Sequence, residues 1–180
     1  MDLHLLLGET MLGLILFRLL WGLLGSSTAR FAGFVRGPAA VLRYLRAGGK
    51  AFGHNPLGGW SVMLILLALS VQVGLGLFAS DEDGIHAGPL SRHMPDLESA
   101  HELAERHETL FWVIVALIAL HVAAILWYRL VKRDDLLTPM VTGRGPAGAA
   151  GEAMVPAPLW RFGLAAGLAA GLTLAIVKLL

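Results

Sequence analysis

Four stretches of the chain are almost continuously apolar, and the polar residues crowd between them. They run roughly from Leu3 to Leu24, Trp60 to Ala79, Leu110 to Leu130 and Leu159 to Leu180. Each is close to the ~20 residues an α-helix needs to cross a bilayer's hydrocarbon core. In lipid every backbone polar group must be satisfied internally, and an uninterrupted apolar run of this length does that as a helix. The pattern therefore predicts an all-α fold, an integral membrane bundle of four transmembrane helices.

Composition agrees. Of the 180 residues, 56% are hydrophobic and only 15% are charged, which is too apolar for an ordinary soluble domain. The chain has no cysteine. Disulfides, thiolate metal sites, iron–sulfur clusters and covalent haem attachment are thereby excluded.

The charges are unevenly placed. Residues 25–57 carry Arg30, Arg36, Arg43, Arg46 and Lys50 without an acid. Residues 80–109 carry Asp81, Glu82, Asp83, Asp96, Glu98, Glu102, Glu105 and Glu108 against Arg92 and Arg106. Residues 129–158 carry Arg129, Lys132, Arg133 and Arg144. Positive connections favour the cytoplasm, so the first and third are expected inside and the acidic one, with the N-terminus, on the periplasmic side. Trp21, Trp60, Trp127, Tyr128 and Trp160 all fall at the expected inner interface. No basic segment precedes the first apolar run, so no cleavable signal peptide is expected. Pro38 to Ala47 suits a short interfacial helix. Asn55–Pro56 marks the start of the second span. Residues 145–158 are rich in Gly, Ala and Pro and are expected to be a flexible linker. The Gly/Ala-rich helix after it, 159–180, is expected to be an additional packing element.

Seven histidines remain to be explained. His86, His93 and His101 in the acidic connection suit ordinary solvated roles, and His54 a turn or interfacial one. His4, His107 and His121 lie in or beside apolar helices, where an imidazole needs a partner or a cofactor. His107 and His121 are fourteen residues apart. That interval turns a helix through about 1400°, nearly four whole turns, and rises about 21 Å, so the two rings share a face at different depths. Zinc would need three or four ligands at one level, whereas stacked haems need axial imidazoles at two. His4 is followed by Gly8 one turn on, which leaves room for a flat macrocycle or for a neighbouring helix. Arg18 lies fourteen residues after His4. If both helices start at one height, His4 is level with His107 and Arg18 with His121. Arg18 then either pairs with the propionates of an inner haem or snorkels to the interface. Glu9 is a weaker candidate for proton or quinone chemistry.

The segments LHLLLGETMLGLILFRLLWGLLGSSTARFAGFV, GHNPLGGWSVMLILLALSVQVGLGLF, HETLFWVIVALIALHVAAILWYRL and DDLLTPMVTGRG resemble the bacterial cytochrome b561 / hydrogenase-type cytochrome b superfamily. Together they cover most of residues 3–144, which the resemblance makes one cytochrome b-type domain. In that superfamily four helices hold two haems b, with one ligand each from the first and second helices and two from the fourth. The resemblance implies that His4 is the second-helix ligand and that His107 and His121 are the fourth-helix pair. The superfamily's first helix, with its Arg-x-x-His-Trp type of motif, is expected to be missing before His4, in agreement with the external N-terminus expected from charge. One complete haem site and half of another are therefore expected.

The implied function is electron transfer across the cytoplasmic membrane. Electrons would pass between a quinone and a redox partner, such as a cytochrome c or the electron-transfer subunit of a dehydrogenase or hydrogenase. Side chains would make no bonds, so the chain is an electron-transfer subunit and not a stand-alone catalyst. The alternatives are a non-redox membrane anchor, or a truncated fragment without the full haem complement. A transporter is the weakest reading, because no broken helix or internal repeat is visible. Lipid is an expected partner, nucleic acid is not, and homo-oligomers are compatible.

Overall fold

The computed structural model describes residues 2–47, 56–133, 138 and 154–179. His54, residues 145–153 of the expected linker and nearly all of the DDLLTPMVTGRG segment lie outside the described residues. The elements are α1 (Asp2–Leu24), α2 (Phe31–Phe34), α3 (Pro38–Ala47), α4 (Pro56–Phe78), a 3₁₀ turn (Ser91–His93), α5 (Leu97–Leu130) and α6 (Leu159–Leu174). A π-helical turn, Ala175–Leu179, continues α6. Among the described residues four helices, Asp2–Leu24, Pro56–Phe78, Leu97–Leu130 and Leu159–Lys178, are long and apolar enough to cross a membrane. The protein is an all-α membrane helical bundle.

The spans occur where the apolar runs predicted them, with one difference. Helix α5 begins at Leu97, well before the apolar run at Leu110, and its 34 residues make it about 51 Å long. Hydropathy detects only the part that lipid requires. The added turns are built by good helix formers, Leu97, Glu98, Ala100, Glu102, Leu103 and Ala104. They start on Asp96, whose side chain accepts a hydrogen bond from the Ser99 N–H at 2.7 Å, a normal N-cap. The acidic connection therefore shrinks to residues 79–96, and His101 lies on helix.

That connection folds back on the helix ends. The amides of Gly88 and Leu90 donate to the Ala79 and Leu77 carbonyls at 2.8 and 2.9 Å, and the Ser80 amide donates to the Ala100 carbonyl at 3.1 Å. A Cβ at Gly88 would strike the carbonyls of Gly76 and Leu77, so only glycine fits. We call this the acidic end of the bundle and the opposite one the basic end.

Helix packing runs α6–α1–α4–α5. The α1–α6 contact is antiparallel and close, because small residues let the backbones approach. Ala165 and Ala169 are buried, and a Cβ at Gly13 would sit 3.3 Å from Thr173 Oγ1. Near the basic end Phe162 packs edge-on against Phe17 and Trp21, with centroids 5.5 and 5.7 Å away. There Ser27 and Val155 exchange two hydrogen bonds, from the Ser27 N–H to the Val155 carbonyl at 3.1 Å and from the Val155 N–H to Ser27 Oγ at 3.0 Å. Helix α3 is joined to α5 by the Tyr44 and Tyr128 hydroxyls, 2.7 Å apart. Its Leu42 and Leu45 remain exposed, as an interfacial helix requires. Outward-facing Leu14, Leu67, Trp112 and Leu120 give the bundle an apolar surface that lipid covers.

Candidate functional site

His4 lies in the first turn of α1 and His107 three turns into α5. The long helical overhang of α5 and the antiparallel course of α4 bring both to the acidic end. Their ring centroids are 5.9 Å apart and their planes cross at 79°. The equal heights expected from sequence are present.

His107 is held by α4 at three points. Its Nδ1 lies 2.9 Å from the main-chain carbonyl oxygen of Gln72. The Gln72 side chain returns a hydrogen bond, Nε2 donating to the His107 carbonyl at 2.9 Å. A Cβ at Gly76 would sit 2.9 Å from Cε1 and 3.2 Å from Nδ1 of the ring, so the imidazole uses space that only glycine leaves. The amide orientation follows from the chemistry. Turned over, Gln72 would set oxygen against the His107 carbonyl oxygen. As it stands, Gln72 Oε1 is buried without a hydrogen-bond partner among the described residues.

The separation of the two rings suits a pair of imidazoles sharing one metal ion. Two imidazoles on opposite sides of one metal ion, with metal–nitrogen bonds of about 2 Å, have centroids about 6 Å apart. The His4–His107 separation is close to that. A Cβ at Gly8 would meet nothing within 4 Å, so α1 is open one turn from His4. Elsewhere the described residues bring no three histidines, aspartates or glutamates together as zinc would require.

His121 lies at the second level, toward the basic end, with Nδ1 2.9 Å from Ser61 Oγ on α4. Arg18 reaches further toward that end. Its guanidinium donates to the Ala29 carbonyl at 3.3 Å and lies 4.9 and 5.9 Å from the ring centroids of Phe31 and Phe34. The described geometry of Arg18 is thus that of a snorkelling side chain packed on aromatic faces.

At the acidic end His86 pairs with Asp81 at 2.9 Å and His101 lies 3.6 Å from Glu82. Asp81 is held below the usual carboxylate range, chiefly by the His86 N–H and then by the His86 side chain. Asp96 is held low by the Ser99 N–H and side chain.

Ser61, Gln72 and Gly76 are the residues that the sequence reading passed over. The signal for two of them was present: Ser61, Ser70 and Gln72 are the polar side chains of the second apolar run, and a glutamine in a span calls for a partner.

The sequence model of the family described as prokaryotic cytochrome b561 matches residues 1–143. No curated protein and no solved structure matches the chain.

Proposed function

The chain belongs to the prokaryotic cytochrome b561 family, membrane b-type cytochromes that transfer electrons, and on that footing we propose that His4 and His107 are the axial ligands of a haem b. The observation that carries this is the His4–His107 juxtaposition, two imidazoles from different helices at one height and 5.9 Å apart. When bound, the haem supplies one-electron storage on its iron. The protein supplies the rest. His4 and His107 would hold the iron, the Gln72 carbonyl holds His107 by Nδ1, and α1 is open at Gly8, one turn from His4. His121, with Ser61 behind it, offers an axial nitrogen at a second level about 21 Å away along α5. Arg18 would meet the carboxylates of a second haem only by leaving its contacts with Ala29, Phe31 and Phe34.

Electrons then pass across the cytoplasmic membrane between a quinone and a redox partner, a cytochrome c or a dehydrogenase or hydrogenase electron-transfer subunit. The acidic end faces the periplasm. Residues 1–144 form the cytochrome domain, and α6 is an additional helix that braces α1.

Reduced-minus-oxidised spectra of membranes holding the wild type, His4→Ala and His107→Ala test the assignment. The wild type is expected to show a b-type α-band and each variant to lose most of it. Full absorbance in either variant would overturn the ligand pair. A wild type without the band would leave a non-redox anchor.

A further inference from the structure

The histidines of α5 do not rest on α4 in the same way. His121 Nδ1 faces a hydroxyl, which both donates and accepts, so either tautomer satisfies it. His107 Nδ1 faces a main-chain carbonyl oxygen, which only accepts. The contact therefore requires a proton on Nδ1. In the neutral ring Nε2 then carries the free electron pair, the state a metal needs. The Gln72 carbonyl also lies one turn before Gly76, within reach of the Gly76 N–H. Its oxygen has two lone pairs and serves both.

The steric part is equally specific. The ring approaches the α4 backbone at Gly76, where a methyl group would lie 2.9 Å from Cε1. Something must then move, and the ring is the freer partner. The Gln72 amide, by donating to the His107 carbonyl, fixes the α5 backbone at the same point.

We propose that Gln72 and Gly76 are positioning residues for His107, a socket on α4 that fixes its imidazole with Nδ1–H on the Gln72 carbonyl and Nε2 as the metal-binding nitrogen. The proposal rests on the reading of His107 as a haem ligand, and it adds the residues that orient the ligand and choose its nitrogen. Partners of this kind hold the ring and tautomer of a ligating histidine, and losing one typically costs about 10–100-fold in metal affinity.

Three variants of the full chain in detergent decide it: Gly76→Ala, Gln72→Leu and, as a control, Gly74→Ala. A Cβ at Gly74 meets nothing within 4 Å, so it carries the same helix-propensity change without touching the ring. Haem titration is expected to show affinity weakened about 10–100-fold in Gly76→Ala and less in Gln72→Leu, which keeps the carbonyl. Gly74→Ala is expected to match the wild type. A second readout needs no haem. Nitrogen-15 NMR of ring-labelled histidine in the haem-free chain is expected to show His107 as the Nδ1–H tautomer in the wild type. In Gly76→Ala the Nε2–H form should appear, a change that general loosening of the bundle would not produce selectively at His107. Wild-type affinity and tautomer in Gly76→Ala would overturn the socket, as would equal losses in Gly74→Ala. If His107→Ala keeps its haem, the ligand assignment fails instead. Should Gly76→Ala not fold, the Gln72→Leu titration and the wild-type tautomer still decide, and an Nε2–H ring in the wild type would refute the proposal.

Discussion

Ser61 on α4 meets His121 on α5 through a 2.9 Å contact between hydroxyl oxygen and Nδ1, eleven residues before Gln72 meets His107 on the same two helices. Eleven residues are close to three helical turns, so one stripe of α4 serves both histidines. Ser61→Ala is expected to lower stability by about 0.6 kcal/mol, the usual size of a hydrogen bond between membrane helices. Unfolding in mixed detergent measures it. It should leave the His4–His107 level intact, and loss of all haem from this variant would contradict two independent levels.

Gly88 holds the acidic connection against α4. Gly88→Ala sets a methyl group against two main-chain carbonyls that cannot turn aside. A loss of about 1–3 kcal/mol is expected, the range for overpacking. Limited proteolysis within residues 79–96 should accelerate. An unchanged cleavage rate would mean that the loop does not depend on this approach.

The start of α5 is expected to respond to acid. The carboxyl of Asp96 is held low in the folded chain, first by the Ser99 N–H and then by its side chain. Its contribution is therefore fully present above the ordinary carboxylate pKa of about 3.9, and it fades as pH falls through the lower folded value. Asp96→Asn keeps an acceptor oxygen and does not titrate. Protection of the Ser99 and Ala100 amides, measured against their intrinsic exchange rates at each pH, should fall on acidification in the wild type and stay flat in the variant. Identical acid profiles would remove Asp96 as the titrating group.

Orientation is testable with single cysteines, since the chain has none of its own. Ile85, exposed in the acidic connection, and Arg46, exposed on α3, mark the two ends. In intact cells Ile85→Cys should react with a membrane-impermeant thiol reagent, and Arg46→Cys only after lysis. The reverse pattern would invert the topology.

The spans were legible because lipid imposes a length and a composition on any helix that crosses it. The His4–His107 meeting was legible only on the condition that the two helices start at one height, a condition that the family resemblance supplied and the fourteen-residue intervals did not. Other features depend on information that hydropathy does not carry. The first turns of α5 are polar enough to read as a loop, and only helix propensity and the Asp96 cap mark them as helix. Arg18 lies fourteen residues after His4, but a long side chain goes where its head group finds acceptors and aromatic faces, here Ala29, Phe31 and Phe34. Gln72 and Gly76 acquire meaning only once the facing sides of α4 and α5 are known, and periodicity within one helix does not supply that.

The α1–α6 contact bears on how the molecule is made. Helices α4 and α5 are neighbours in the chain, and His107 can settle into its place on α4 as soon as both have left the ribosome. Helix α1 is synthesised before them, yet its closest companion, α6, follows every other described helix. Closing so long a loop adds only slowly to the entropic cost, but it fixes the sequence of events. The half of the site on α5 is ready first, and the helix bearing His4 gains its full bracing last.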